Sequence, residues 1–122
     1  MAAVRAVWDA IEAADLAADW ETNQSHMTSD FVHLDPRTEP IRGAGAWREW
    51  VESMEFGSAE GGYVVEEVAG SGDLAYVMWA FDATWTEASE PVEARGKGMT
   101  LFRRQADGSW LMSRNVWNET PS

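Results

Sequence analysis

The chain has 122 residues, which is enough for one domain with its own core. Its net charge of −12 argues against nucleic acid and against anionic membranes, because both repel such a surface. It contains no Cys, which excludes disulfides, thiol catalysis and zinc–thiolate sites.

Helical periodicity dominates the N-terminal half. Apolar side chains at helical spacing predict a first helix over residues 2–14, in which acidic residues interrupt any signal-peptide pattern. Asp15 is placed to cap a second helix. A third helix is predicted after Gly43 and Gly45. Each helix has one face, or stripe, predicted to face the core. The stripe of the first helix is Val4, Val7, Trp8 and Ile11, that of the second is Leu16, Trp20, Asn23 and Met27, and that of the third is Ala46, Trp47, Trp50, Val51 and Met54.

The C-terminal half reads as an antiparallel meander. Strands are predicted over 63–69, 74–86, 92–104 and 110–118, with a tight Asp-Gly turn at Asp107. Gly96 and Gly98 lie inside a strand and indicate a bulge or a close backbone approach. Helices segregated from an antiparallel sheet predict an α+β fold, in one domain over 1–122. No apolar run is long enough to span a bilayer, so a cytoplasmic protein is expected.

A short strand between the second and third helices carries the candidate chemistry. It ends in Asp35-Pro36, and alternation places His33 and Asp35 on the same face. If that face lines an apolar cavity, burial is expected to raise the pKa of Asp35 and suit it to proton transfer. The alternative is structural, because an Asp before Pro commonly caps a turn.

The layout resembles the nuclear transport factor 2-like folds, which are cone-shaped α+β barrels with three helices on a curved, mostly antiparallel sheet. Within them it is most similar to the SnoaL-like polyketide cyclases and the relatives of ketosteroid isomerase. The resemblance covers nearly the whole chain. The stretches that carry it are Ala13-Ala14-Asp15-Leu16, Asp30 to Pro36, Arg42-Gly43, Gly72 to Val77, Gly108-Ser109-Trp110 and Trp117-Asn118-Glu119.

The resemblance implies roles for two residues and a gap in the site. It places the general base of the isomerases on Asp35 and a pocket-lining aromatic on Trp117. The oxyanion Tyr of the isomerases would fall near Val7 or Trp8, and their protonated Asp near Thr100, so neither group is present. Steroid isomerisation by that mechanism is therefore not expected.

The remaining candidate residues would line the cavity. Alternation puts Asn115 on the face of Trp117, where its amide could orient a carbonyl, or else make a cross-strand hydrogen bond. His26, His33 and Asp35 match no strong metal motif, so no metal site is predicted. The predicted ligand-binding residues are Trp8, Trp20, His26, Met27, Trp50, Thr100, Asn115 and Trp117.

Two functions from different classes fit this pattern. One is an enzyme without a cofactor that performs acid–base isomerisation, cyclisation or dehydration on an apolar or polyketide-like molecule, with Asp35 as base and His33 as its partner. The alternative is a non-catalytic ligand-binding or dimerisation module. The strand over 74–86 is apolar on both faces, which predicts a homodimer through the outer face of the sheet.

Overall fold

The computed structural model describes residues 1–121; Ser122, the last residue of the predicted domain, lies outside them. Across residues 1–121, nine elements follow one another in the order α1 (Ala2–Leu16), α2 (Trp20–Ser25), β1 (Met27–Leu34), β2 (Ile41–Arg42), α3 (Ala44–Ser53), β3 (Glu60–Ser71), β4 (Leu74–Glu87), β5 (Glu90–Arg104) and β6 (Trp110–Glu119).

The strands form one six-stranded mixed sheet, and the helices pack on its inner face. The strand order is β2-β1-β6-β5-β4-β3, with β1 and β6 parallel and all other neighbours antiparallel. The predicted α+β fold with N-terminal helices on a mostly antiparallel sheet is therefore confirmed. Within residues 1–121, no helix is long and apolar enough to cross a membrane.

The inner face of β4 builds much of the core, as the alternation of its residues predicts. Ala75, Val77 and Trp79 are buried there, while Leu74 on the opposite face is half exposed. From the helices, Val4, Trp8 and Val51 complete the core against the sheet. Burying these aliphatic and aromatic side chains removes apolar surface from water and stabilises the packing of the helices on the sheet.

Gly98 and Gly96 mark a close approach. They lie directly across from Trp79 and Phe81 on β4. A Cβ at Gly98 would fall 2.7 Å from the Trp79 ring, and one at Gly96 would fall 2.6 Å from the Phe81 ring. Glycine thus lets both rings lie over the backbone of β5 and face the helices.

Two predictions about the helices are wrong. Asp15 does not cap α2, because α1 continues through Leu16; the cap is Asp19, whose side chain accepts from the backbone N–H of Thr22 at 3.2 Å. The stripe predicted to run to Met27 also breaks, since α2 ends at Ser25 and Met27 begins β1. Asp15 is consequently free to face the interior of the fold.

Candidate functional site

A cavity of about 180 Å³ lies between the helices and the inner face of the sheet. Roughly 150 Å³ of apolar cavity accommodates one benzene molecule, whereas drug-sized ligands occupy about 300–1,000 Å³. The cavity therefore suits a molecule of about one ring and is too small for the four fused rings of a steroid.

Aromatic side chains form two walls of this cavity. On the α1 and sheet side, Trp8 stacks on Trp79 with ring centroids 5.8 Å apart. On the α2 and α3 side, Trp20 meets Phe56 at 6.0 Å. Seven of the eight Trp residues line the cavity. The sheet-side wall consists of Trp8, Tyr63, Trp79, Phe81 and Trp117, and the helix-side wall of Trp20, Phe31, Trp47, Trp50 and Phe56.

A chain of hydrogen bonds crosses the floor of the cavity and ends at His33. The Trp79 indole N–H donates to the Thr100 hydroxyl at 3.0 Å, and that hydroxyl donates to the Asn115 carbonyl at 2.6 Å. The Asn115 amide lies 3.2 Å from Nδ1 of His33. Because an indole can only donate, the direction of the chain is fixed, and Nδ1 of His33 must accept.

His33 completes this chain at Asp35. Its Nε2 lies 3.4 Å from Oδ2 of Asp35, so the ring carries its proton on Nε2 and donates it to the carboxylate. Both residues are more than nine-tenths buried, and both line the cavity side by side, as strand alternation predicts.

Arg37 holds Asp35 as a carboxylate. Oδ1 of Asp35 accepts from the backbone N–H of Arg37 at 2.9 Å and from its Nε at 3.1 Å, while Oδ2 accepts from Nη2 at 3.4 Å. Burial alone would raise the pKa of Asp35, but the hydrogen bonds from His33 and Arg37 and the charge of Arg37 hold that pKa well below its usual range. The expectation of a raised pKa is therefore wrong, because an Arg two residues later folds back over the carboxyl.

Arg37 also reaches the mouth of the cavity. Its Nη1 donates to Glu87 at 2.8 Å, and its guanidinium lies 5.7 Å from the centroid of the Trp117 ring. Glu87 in turn accepts from the Trp85 indole at 3.3 Å. Two carboxylates thus neutralise Arg37, and the turn after β1 is tied to the end of β4.

A second polar cluster, which the sequence analysis did not find, faces the first from α1. The Tyr63 hydroxyl on β3 donates to the carboxyl of Asp15. Burial raises the pKa of Asp15 against the opposing effects of Tyr63, His33 and Asn23. Burial and the neighbouring Asp15 also raise the pKa of Tyr63 well above its usual value, so Tyr63 remains a neutral donor.

Two buried polar atoms near this cluster have no hydrogen-bond partner among the described residues. They are the carbonyl oxygen of Asn23 and the indole nitrogen of Trp8. Burial raises the pKa of Glu12, and the nearby Trp8 indole partly offsets this without reaching hydrogen-bond geometry. Buried polar atoms left unpaired are costly, so a water molecule or a polar ligand group at these two atoms would be stabilising.

Most predicted ligand-binding residues line the cavity, and one does not. Trp8, Trp20, Met27, Trp50, Thr100, Asn115 and Trp117 all lie on its surface. His26 lies outside the lining, because α2 ends before it and its carbonyl instead accepts from the N–H of Met112. Burial lowers the pKa of His26. Thr100 is buried, and its hydroxyl is hydrogen-bonded to Trp79 and Asn115.

Residues 1–121 contain no cluster of three potential metal ligands.

The profile of the SnoaL-like domain matches residues 4–111. The chain belongs to the SnoaL-like family. Among solved structures, it is similar to a ketosteroid isomerase-like protein from Erwinia carotovora atroseptica SCRI1043, with 25% identity, a TM-score of 0.90, and coverage of 99% of this chain and 96% of that one. No curated protein matches the chain closely enough to count as a relative.

More distant structures share the fold. A nuclear transport factor 2-like superfamily protein from Salmonella enterica serovar Typhimurium has 10% identity and a TM-score of 0.82, with coverage of 98% of this chain and 89% of that one. A candidate dehydratase of the same fold from Streptomyces avermitilis has 17% identity and a TM-score of 0.78, with coverage of 98% and 96%. These likenesses support the resemblance seen in the sequence, and at such identities they concern the fold alone.

Proposed function

We propose that this SnoaL-like chain is a cofactor-independent enzyme that transfers a proton on a molecule of about one ring. His33 is the base, and Asp35 is the carboxylate that holds it. The observation that carries the proposal is the directed chain from Trp79 to Asp35, which leaves Nδ1 of His33 without a proton. The sequence predicts the opposite roles, with Asp35 as the base and His33 as its partner. Asp35 is a poor base, because its carboxylate accepts four hydrogen bonds and its pKa is lowered.

The geometry supports the following proton transfer. The Asn115 amide first gives up its contact with Nδ1 and turns to the carbonyl oxygen of the substrate, which frees the lone pair of Nδ1. Nδ1 of His33 then takes a proton from the carbon next to that carbonyl, the electron pair of the C–H bond forms the C=C bond of an enolate, and the π pair of the carbonyl moves to its oxygen. Asp35 stabilises the imidazolium that forms, and the Asn115 amide stabilises the developing oxyanion. A base placed in this way contributes about 10²–10⁴-fold to the rate. Returning the proton elsewhere gives isomerisation, while loss of a neighbouring hydroxide gives dehydration.

Proton exchange tests this proposal before the natural substrate is known. Cyclohexenone is incubated with the protein in D₂O, and the loss of its exchangeable C–H signals is followed by proton NMR. The wild type is expected to speed the exchange, and His33→Gln is expected to abolish the acceleration. His26→Gln is the matched control, because His26 lies outside the cavity lining. Equal exchange by His33→Gln and the wild type would refute the assignment of His33.

The alternative function is a non-catalytic ligand-binding module. Its support is that Asp35 has every lone pair engaged by Arg37 and His33, and that Asn115 already occupies Nδ1 of His33. A ligand that binds in the cavity without any exchange of its C–H protons, across a series of single-ring ketones, would favour this module over the enzyme.

We also propose that two copies of the chain associate through the outer face of the sheet. Met78, Met99, Val116 and Leu34 stand side by side across four strands and form a continuous apolar row. Val64, Leu74 and Val116 are 63%, 49% and 38% exposed on this face. Exposed apolar patches of this kind mark association surfaces. No nucleic-acid or membrane partner is proposed, and the cytoplasmic location stays a prediction from the sequence.

A further inference from the structure

The charge of the cavity lining is unbalanced. Glu12, Asp15 and Asp35 line it, and in the part of the chain that the structure describes, Arg37 is the one permanently positive residue of the lining. Arg37 is already paired with Asp35 and Glu87. An anionic ligand would therefore meet no free positive charge. A cation would meet the carboxyl of Asp15, which accepts a hydrogen bond from Tyr63 but forms no ion pair among the described residues.

Asp15 lies beside the sheet-side wall of the cavity. It accepts from Tyr63, whose ring packs at 5.2 Å on Trp79 and at 5.4 Å on Trp8. Asn23 of α2, the helix that also carries Trp20 of the helix-side wall, lies close enough to Asp15 to offset part of the rise that burial causes in its pKa. Aromatic faces attract cations, and Trp does so most strongly. A positive group beside Asp15 would thus lie next to the aromatic rings of the sheet-side wall.

Asn23 supplies a second acceptor. It is 3% exposed, it lines the cavity, and its carbonyl oxygen has no hydrogen-bond partner. A carboxylate and a free carbonyl oxygen together match a group with several N–H donors. The indole N–H of Trp8 is the one unpaired donor of this wall, and it lies towards Glu12.

We propose that the cavity takes a small organic cation, a primary ammonium compound of about one ring, whose charged group lies between the Asp15 carboxylate and the Asn23 carbonyl oxygen. The body of the ligand lies between the two aromatic walls and towards His33. The inference rests on the proposed function only in taking this cavity as the substrate site.

Three single-ring probes of similar size and different charge test the inference. Benzylamine, benzyl alcohol and benzoate are titrated against the protein with Trp fluorescence as the signal, since seven Trp residues line the cavity. Salt at about 0.15 M screens the long-range attraction of the acidic surface. Benzylamine is expected to bind at least about tenfold more tightly than benzyl alcohol, and benzoate is expected not to bind. Equal binding of the amine and the alcohol, or binding of benzoate, would overturn the inference.

Variants locate the binding. Asp15→Asn keeps the shape of the side chain and is expected to reduce the preference for the amine to about threefold or less. Asp9→Asn removes the same charge from an exposed position of α1 and is expected to retain the preference. If Asp15→Asn fails to fold, Asn23→Leu is measured instead, and it is expected to weaken the amine several-fold more than the alcohol. An unchanged preference in a folded variant would contradict the assignment.

The affinity for benzylamine is expected to depend on pH through the ionisation of Asp15. The titratable groups that face Asp15 are Tyr63 from β3, His33 from β1 and Glu12 from its own helix. Affinity for benzylamine is expected to rise with pH as Asp15 ionises, and to fall again when the amine loses its proton. Asp15→Asn should flatten the rising limb, and an unaltered limb would contradict the role of Asp15.

Proton exchange separates this inference from the proposed function. A preference for the amine without catalysed exchange would end the proposed function and leave the inference standing. Catalysed exchange of cyclohexenone without a preference for the amine would do the reverse.

Discussion

Asp35 and Asp15 lie on opposite walls of one cavity, and the fold shifts their pKa values in opposite directions. Hydrogen bonds and the charge of Arg37 outweigh burial at Asp35 and lower its pKa. At Asp15 burial outweighs the hydrogen bond from Tyr63 and raises its pKa. A carboxyl that is buried near opposite charge therefore serves to fix its neighbours, whereas one that is buried without it is available to a ligand.

Asp35→Asn is expected to reduce both stability and activity. An amide nitrogen would face donors from Arg37 and His33, so the free energy of unfolding should fall by about 1–3 kcal/mol. The folded pKa of Asp35 is lowered, so its contribution is complete above about pH 4 and is lost as the pH falls through the folded pKa. The loss in melting temperature relative to the wild type should therefore shrink on acidification.

The same variant should lower catalysed proton exchange by at least about 10²-fold. Full exchange in this variant would contradict the role of Asp35.

Asp15→Asn is expected to have the opposite effect on stability. The folded pKa of Asp15 is raised, so its contribution is present below about pH 4 and is lost as the pH rises through the folded pKa. An Asn cannot ionise and can still accept from Tyr63. The variant should therefore melt above the wild type at neutral pH, and the gain should disappear towards pH 4. A variant that melts below the wild type at pH 8 would contradict a raised pKa at Asp15.

The sequence predicts the cluster of His33 and Asp35 but not the cluster of Asp15 and Tyr63. Alternation along β1 is enough to place His33 beside Asp35. The lowered pKa of Asp35 was not predicted, although its cause, Arg37, stands two residues later in the chain. The Asp15 cluster could not be found, because its partner Tyr63 is 48 residues away and meets it only when β3 folds under α1.

The hairpin between β4 and β5 stores strain at its tip. Ala88 and Ser89 have φ values of 48° and 69°, which non-glycine residues rarely adopt. This tip contacts the chain after α3, since Ala88 N–H donates to Glu55 and Gly57 N–H to Thr86. The turn positions Glu87, which binds Arg37 at the mouth of the cavity.

Ser89→Gly is expected to relieve this strain. Glycine adopts positive φ without steric cost, so the free energy of unfolding should rise by about 1 kcal/mol. The control is Ser58→Gly, at an exposed loop position without positive φ, which should be neutral or destabilising. Denaturant unfolding measures both variants. A destabilised Ser89→Gly would contradict the strained turn.

Helices and strands are predicted well where their packing follows the periodicity of apolar residues. A turn is predicted poorly where it lacks Gly, Asn or Asp, the residues that usually mark a turn. The alternation in β4 locates its buried face, and the rings of Trp79 and Phe81 explain the two glycines of β5. The strand bounds predicted from the sequence, 74–86 and 92–104, leave a longer loop over 87–91. In the structure only Ala88 and Ser89 lie between the two strands.

The whole molecule combines a strongly acidic surface with an apolar row on the outer face of its sheet. The row from Met78 to Leu34 leads to the prediction of a homodimer, which sedimentation velocity at micromolar concentration tests. Met99→Glu places a charge in the middle of the row and should give monomers, while Thr84→Glu, outside the apolar row, should leave dimers intact. A wild type that sediments as a monomer would contradict this prediction.

The protonation of His33 is the central claim, and nitrogen NMR of the imidazole rings measures it directly. The chain has two His residues, so His26→Gln assigns the spectrum without ambiguity. The hydrogen-bond chain predicts that the neutral ring of His33 carries its proton on Nε2 and none on Nδ1. In Asp35→Asn this preference should weaken or disappear. A neutral His33 ring that carries its proton on Nδ1 would contradict its role as a base.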